Sequence, residues 1–92
     1  MEGTTYRERI DEIDRQIAAL FERRMEVAAE IARYKKEKGL PVLDARREQE
    51  KLRMAAEAAP AALRDYTPRL FAVLMELSRS YQQRILDGGE AE

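Results

Sequence analysis

The stretch from Ile10 to Tyr34 reads IDEIDRQIAALFERRMEVAAEIARY, and the spacing of its apolar side chains decides the fold. These side chains recur every three or four positions. They are Ile10, Ile13, Ile17, Leu20, Val27, Ile31 and Tyr34. This alternation predicts a helix that packs lengthwise against a partner helix along one seam. Arg24 occupies the one seam position that is not apolar.

The predicted first helix is too long for a compact single chain. Thr5 and Glu8 fit a capping box at its start, and no proline or glycine interrupts the chain from there to Gly39. A helix from about Thr5 to Lys38 is about 50 Å long. A compact monomer of this length has a radius of gyration of about 12 Å. We therefore expect a homodimer, in which a second copy covers the seam.

Two shorter helices follow, and prolines mark the breaks. The breaks are Gly39-Leu40-Pro41, Ala59-Pro60 and Thr67-Pro68. Asp44 is placed to cap a second helix that runs to about Ala58. A third helix is predicted from about Tyr66 to about Leu86. Pro68 would lie in its first turn, where proline is tolerated. The expected fold class is all-α, with three helices in a single domain over residues 1–92. Its core spans about 5–86, and 87–92 form an acidic, flexible tail.

Composition excludes several classes of function. The 92 residues include no cysteine and no histidine, so we expect no disulfide, no thiolate or histidine metal site and no histidine general base. The formal net charge of −1 lacks the basic excess of a nucleic-acid-binding protein. No apolar run is long enough to span a membrane, and no signal peptide is visible. We expect a cytoplasmic protein without metal, cofactor, nucleic-acid partner or membrane partner.

Polar residues stand at positions where apolar ones belong. Lys35 lies eleven residues after Arg24 and returns to nearly the same helix face. Ser78 and Gln82 interrupt the apolar row of the third helix, and Glu48 heads that of the second. Each has a structural interpretation, such as a glutamate partner for Arg24 or backbone bonds for Ser78. Together they offer cations, a carboxylate and an amide, which suit a small polyanion and include no activated nucleophile.

At this point the sequence closely resembles the small all-α chorismate mutases. The resemblance runs from about Thr5 to Leu86, and it depends on the order and helical placement of several short motifs. They are Arg7, Glu22-Arg23-Arg24-Met25, Ala32-Arg33-Tyr34-Lys35, Pro41-Val42, Asp44-Ala45-Arg46-Arg47-Glu48, Ser78 and Gln82. The resemblance implies an intertwined homodimer with two identical sites. It also implies the rearrangement of chorismate to prephenate, in phenylalanine and tyrosine biosynthesis.

The resemblance further implies which residues bind the substrate. They are Arg7, Arg24, Lys35, Asp44, Arg47, Glu48, Ser78 and Gln82. By this carry-over the three arginines bind the two carboxylates of chorismate, and Arg24 reaches in from the partner chain. Glu48 accepts a hydrogen bond from the ring hydroxyl, assisted by the backbone near Asp44. Lys35 and Gln82 donate to the ether oxygen. The residues that act on the reaction itself are expected to be Arg24, Lys35, Glu48 and Gln82.

Two other functions remain open from the sequence. An isochorismate pyruvate lyase uses the same scaffold, and the intact Arg7, Glu48 and Gln82 pattern favours the mutase over it. A non-catalytic helical dimerisation module is the more distant alternative. It predicts no affinity for a dicarboxylate, and it predicts that Arg24 and Lys35 are paired internally with glutamates.

Overall fold

The computed structural model describes residues 2–88, with side chains from residue 5 onward, and this part of the chain contains helices and no strand. Helix α1 spans Glu2–Lys38, α2 spans Ala45–Ala58 and α3 spans Thr67–Leu86. A single 3-10 turn, Ala61–Leu63, lies between α2 and α3. The all-α prediction with three helices and a long first helix is confirmed.

The ends of α1 agree with the sequence prediction only in part. The helix begins at Glu2, so Thr5 lies inside it, and the prediction of a capping box at Thr5 is wrong. A capping residue needs non-helical backbone, whereas nothing between Glu2 and Thr5 stops the helix. At the other end Gly39 adopts a φ of 67°, and Leu40 N donates to Lys35 O at 2.9 Å. Gly39 therefore ends α1 in a left-handed conformation that glycine adopts without strain.

Helices α2 and α3 begin and end close to the predicted positions. The Asp44 carboxylate accepts a hydrogen bond from Arg47 N at 3.1 Å and caps α2, as expected. Pro68 lies in the first turn of α3, where its missing N–H has no helical partner to lose. Asp87 N donates to Gln83 O at 2.9 Å and ends α3, so the predicted tail begins with an ordered cap. Residues 89–92 of that tail lie outside the described part of the chain.

The buried core is small and lies where α3 crosses the C-terminal half of α1. Ala28, Ala29 and Ala32 of α1 are buried, as are Met75 and Ile85 of α3. The three alanines are short enough for the α3 side chains to approach the α1 backbone closely. Helix α3 also packs against α2, so it holds the two other helices together. A few buried side chains supply little stability for a chain of this length.

The apolar seam of α1 lies largely outside this core. Its apolar side chains are between 41% and 58% exposed, and every residue from 5 to 20 is exposed. The chain measures 54 × 33 × 13 Å and has a radius of gyration of 16.4 Å. A compact chain of this length would have a value of about 12 Å. The single chain thus leaves the apolar side chains of the seam uncovered. Within residues 2–88, no helix is both long and apolar enough to cross a membrane.

Candidate active site

A cleft of about 450 Å³ opens between the C-terminal half of α1, the 39–44 connection, the start of α2 and the middle of α3. Its apolar wall comes from α1, the connection and α3. These residues are Val27, Ala28, Ile31, Val42 and Met75. Its polar wall comes from all three helices and from the cap of α2. These residues are Arg24, Lys35, Asp44, Arg47, Glu48, Lys51, Ser78, Arg79 and Gln82.

The fold brings together seven of the eight residues that the sequence predicted to bind substrate. The seven are Arg24, Lys35, Asp44, Arg47, Glu48, Ser78 and Gln82. Arg7 is not among the lining residues, since the 17 positions between it and Arg24 correspond to about 25 Å along a helix. Arg7 and Arg24 of one chain cannot bind the same small molecule.

The position of Arg24 bears on one expectation. We expected Arg24 to reach the site from a partner chain, yet it lines the cleft of its own chain together with Lys35. Eleven residues bring Lys35 back to nearly the same helix face as Arg24, about 16 Å farther along the axis, so these two long side chains can both reach one cleft. A role for Arg24 in the partner's site is what the family resemblance implies. The structure assigns that side chain to the cleft at the edge of the seam.

Lys35 links α1 to the connection that follows it. Its Nζ donates to Val42 O at 2.8 Å, and the side chain is half-buried. An ammonium group has three N–H donors, so this bond leaves two for a ligand. The contact fixes the position of the ammonium on the cleft wall. Because the acceptor is a backbone carbonyl, no residue type in the sequence indicates this contact.

The capped first turn of α2 carries Arg47 and Glu48 into the cleft. The Asp44 carboxylate is engaged with Arg47 N, so its side chain serves the helix. Glu48 is half-buried, and its Oε1 accepts a hydrogen bond from Arg79 Nη1 at 2.5 Å. Arg79 belongs to α3, so this ion pair connects α2 with α3 across the cleft wall. Arg79 is not among the site residues expected from the sequence.

Gln82 is the one buried polar side chain among the described residues, at 6% exposed. Its Nε2 lies 2.9 Å from Ser78 Oγ, and its Oε1 has no hydrogen-bond partner in the described part of the chain. The two ends of an amide are assigned from the surrounding hydrogen bonds. In the reversed orientation the Ser78 hydroxyl donates to Oε1, and Nε2 is left over. Either way, one polar atom of a buried amide remains for a ligand.

The charges of the cleft are strongly unbalanced. Five cationic side chains line it, namely Arg24, Lys35, Arg47, Lys51 and Arg79. Two carboxylates, Asp44 and Glu48, oppose them, which leaves a formal excess of three positive charges. The whole chain has a net charge of −1, so the excess is local. A cleft of one sign with apolar walls concentrates anions, so this cleft suits a small polyanion.

Outside the cleft, Glu12 carries a carboxyl whose pKa is shifted. The pKa of the Glu12 carboxyl is lowered by the hydrogen bond from Arg15 and, to a smaller extent, by that from Gln16. This carboxyl lies on the exposed N-terminal half of α1, away from the cleft. Within the described residues, no group of three or more acidic side chains could hold a metal ion.

The helices and the cleft define an all-α protein with a basic pocket for a small polyanion. Comparison with protein families matches residues 6–83 to the family described as chorismate mutase type II. The chain therefore belongs to the chorismate mutase type II family, and membership supports chorismate mutase activity in general. Searches of curated proteins and of solved structures each found no match.

Sequence reasoning missed part of the cleft. Lys51 and Arg79 both line it, and Val42 supplies the carbonyl that binds Lys35. Arg79 lies four residues after buried Met75, so its place on the inner face of α3 was visible in the helical period. The helical period does not indicate the contact of Arg79 with Glu48, which lies 31 residues earlier in the chain.

Proposed function

We propose that the chain is a homodimeric chorismate mutase, which converts chorismate to prephenate by a pericyclic rearrangement in this cleft. In that step one C–O bond breaks while one C–C bond forms, and no proton has to move. The observation that carries the proposal is the buried Gln82 amide, with an unused polar atom, in the same cationic cleft as Lys35. The reaction would serve phenylalanine and tyrosine biosynthesis.

The arginines are suited to the two carboxylates of the substrate. Guanidinium groups bind carboxylates through paired, charge-assisted hydrogen bonds. Arg24 and Arg47 approach the cleft from different helices, so they would bind the carboxylates from two sides. Glu48 would accept a hydrogen bond from the ring hydroxyl. Holding the ends of a flexible molecule in the compact reactive conformation supplies the positioning part of catalysis.

Lys35 and Gln82 are suited to the ether oxygen. This oxygen gains negative charge as its bond to the ring breaks, so donors directed at it favour the transition state over the bound substrate. Lys35 has two N–H groups left after its bond to Val42 O. Gln82 donates in the orientation where Ser78 bonds to Oε1. A donor of this kind contributes about 3 kcal/mol in other enzymes.

The dimer part of the proposal rests on the uncovered seam and on the position of Arg7. A two-fold axis near the middle of the seam would align two α1 helices antiparallel and cover both rows of apolar side chains. It would also place Arg7 opposite about position 37 of the other chain, close to Lys35 of the partner subunit. Arg7, about 25 Å from its own cleft, would then enter the second one.

The alternative of a non-catalytic dimerisation module fits the cleft less well. It requires glutamate partners for Arg24 and Lys35, but Lys35 binds a backbone carbonyl. Arg24 forms no ion pair among the described residues. The isochorismate pyruvate lyase remains a candidate because the lyase substrate has the same carboxylates and ether oxygen.

Calorimetric titration with a bicyclic diacid that mimics the transition state tests the proposal. We expect tight binding of one molecule per chain. Lys35→Ala should weaken it on the order of 100-fold, because the lost bond is charge-assisted. Its exposed neighbour provides the matched control, so Lys36→Ala should bind like the wild type. Absence of binding by the wild type would contradict the proposal and favour the dimerisation module. Incubation with isochorismate should release no pyruvate.

A further inference from the structure

Arg79 forms an ion pair with Glu48 in the cleft wall. Unlike Glu48, Arg79 has no role in the proposed reaction. Arg79 Nη1 and Glu48 Oε1 are 2.5 Å apart, and the side chains are 35% and 22% exposed. The other ion pairs in the described part of the chain join residues three or four positions apart on exposed helix faces. The Arg79 pair instead joins α3 to α2. Its carboxylate, that of Glu48, is the one proposed to accept a hydrogen bond from the substrate's ring hydroxyl.

Glu48 needs an external constraint to present its carboxylate in one orientation. Its side chain has three rotatable bonds, and Lys51 lies three positions later on the same helix and also lines the cleft. Without Arg79, Lys51 offers the carboxylate another cationic partner. The bond from Arg79 engages Oε1 and leaves Oε2, with its lone pairs, for a ligand.

We propose that Arg79 is a positioning residue, which holds Glu48 so that Oε2 accepts the hydrogen bond from the substrate's ring hydroxyl. This inference rests on the proposed function. Arg79 acts through Glu48, since its guanidinium is already engaged with that carboxylate. The rival role for Arg79 is direct binding of a substrate carboxylate, as a further arginine in the cleft.

A double-mutant cycle on kcat/KM for chorismate separates the two roles. Arg79→Met keeps the apolar stem and removes the charge. We expect it to lower kcat/KM by about ten-fold, the effect of one hydrogen bond to a charged group. Glu48→Gln should cost at least as much. In the Glu48→Gln background, Arg79→Met should change kcat/KM by about two-fold at most, because the residue it positions has lost its charge.

Two further variants control the cycle. Arg79→Lys retains a cation and should recover part of the loss, which also keeps the test valid if Arg79→Met folds poorly. Arg53→Met removes an arginine that is paired with Glu57 on the exposed face of α2, and it should leave kcat/KM unchanged. Circular dichroism of each variant checks that the helices are intact.

Independent losses would overturn the inference. If the Arg79→Met and Glu48→Gln effects multiply in the double variant, Arg79 does not act through Glu48. Full activity of Arg79→Met would overturn it as well, while the proposed function would stand. If instead the wild type and Arg53→Met both leave chorismate unchanged, it is the proposed function that fails, and the inference fails with it.

Discussion

Substituting Gln82 by methionine keeps the length of the side chain and removes both polar atoms of its amide. The site is 6% exposed, so the new side chain would be buried among Met75, Ser78 and the other cleft residues. Methionine is flexible enough to fill this space without displacing its neighbours. The substitution thus removes the unpartnered Oε1 and the bond between Nε2 and Ser78 Oγ.

The effect on stability is the difference between two terms. An unpartnered buried acceptor costs about 1–3 kcal/mol, and a neutral hydrogen bond contributes about 1 kcal/mol. Ser78 can still donate to a backbone carbonyl of the preceding turn, which limits the second loss. We therefore expect Gln82→Met to raise the free energy of unfolding by about 1 kcal/mol per chain. For a domain of this size, that shift raises Tm by about 4–8 °C.

The effect on catalysis is expected to have the opposite sign. Methionine cannot donate a hydrogen bond to the ether oxygen, so the transition state loses one preorganised donor. Removal of such a donor lowers kcat by about 100- to 1000-fold in other enzymes. Gln82 would thus lower the stability of the empty cleft and still be required for the reaction.

Thermal unfolding by circular dichroism and steady-state kinetics measure the two effects. Protein concentration must be equal in all samples, because the stability of a dimer depends on it. Gln83→Met is the matched control: this side chain is exposed, and its amide donates to Asp87 Oδ1 at 3.1 Å. It should leave kcat unchanged. A Gln82→Met variant that is both less stable than the wild type and fully active would refute the reasoning.

Three other predictions follow from the dimer and from the donor role of Gln82. Arg7→Ala and Arg47→Ala should each be nearly inactive. When the two variants are mixed and exchange subunits, half of the dimers contain one chain of each kind, and one of the two sites in such a dimer is intact. The mixture should therefore recover about a quarter of wild-type activity. No recovery after verified exchange would mean that each site is built within one chain. Sedimentation equilibrium should give about twice the chain mass of 10.7 kDa. Ile17→Asp places a charge in the seam and should abolish the dimer, whereas Ala18→Asp, next to the seam, should not. Wild-type kcat/KM should be nearly flat from about pH 5 to 9, because no side chain has an unperturbed pKa in that range. Gln82→Glu should lose activity as pH rises through the pKa of the new carboxyl, since only the protonated form donates; parallel flat profiles would exclude the contact with the ether oxygen.

The sequence predicted the helices well because their signals are local. The three-and-four spacing from Ile10 to Tyr34, the Asp44 cap and Pro68 each act within a few residues of chain. The start of α1 was missed because Thr5 matched a capping pattern, although nothing before it stops the helix. Local patterns identify the residues that start or stop a helix. They predict a helix end poorly where the sequence contains no such residue.

Most residues that line the cleft were predictable from the sequence, and the contacts between them were less so. Helical periodicity placed Arg24 and Lys35 on one face, and the structure has them in one cleft. The resemblance implied that Arg24 enters the partner's site, whereas in the structure it lines the cleft of its own chain. Arg79 escaped notice because its role depends on the crossing of α2 and α3, which no local pattern encodes. The hydrogen bond from Lys35 to Val42 O was not predicted because every residue has a backbone carbonyl, so no residue type indicates this acceptor.

Turnover of chorismate by the purified protein is the most direct test of the proposed activity. Substrate and products can be followed together by nuclear magnetic resonance, without a coupled enzyme and without added metal or cofactor. We predict that prephenate appears in a one-to-one ratio to the chorismate consumed, faster than in buffer alone, and that no pyruvate is released. Chorismate that is consumed no faster than in buffer, or that yields pyruvate in place of prephenate, would contradict the prediction.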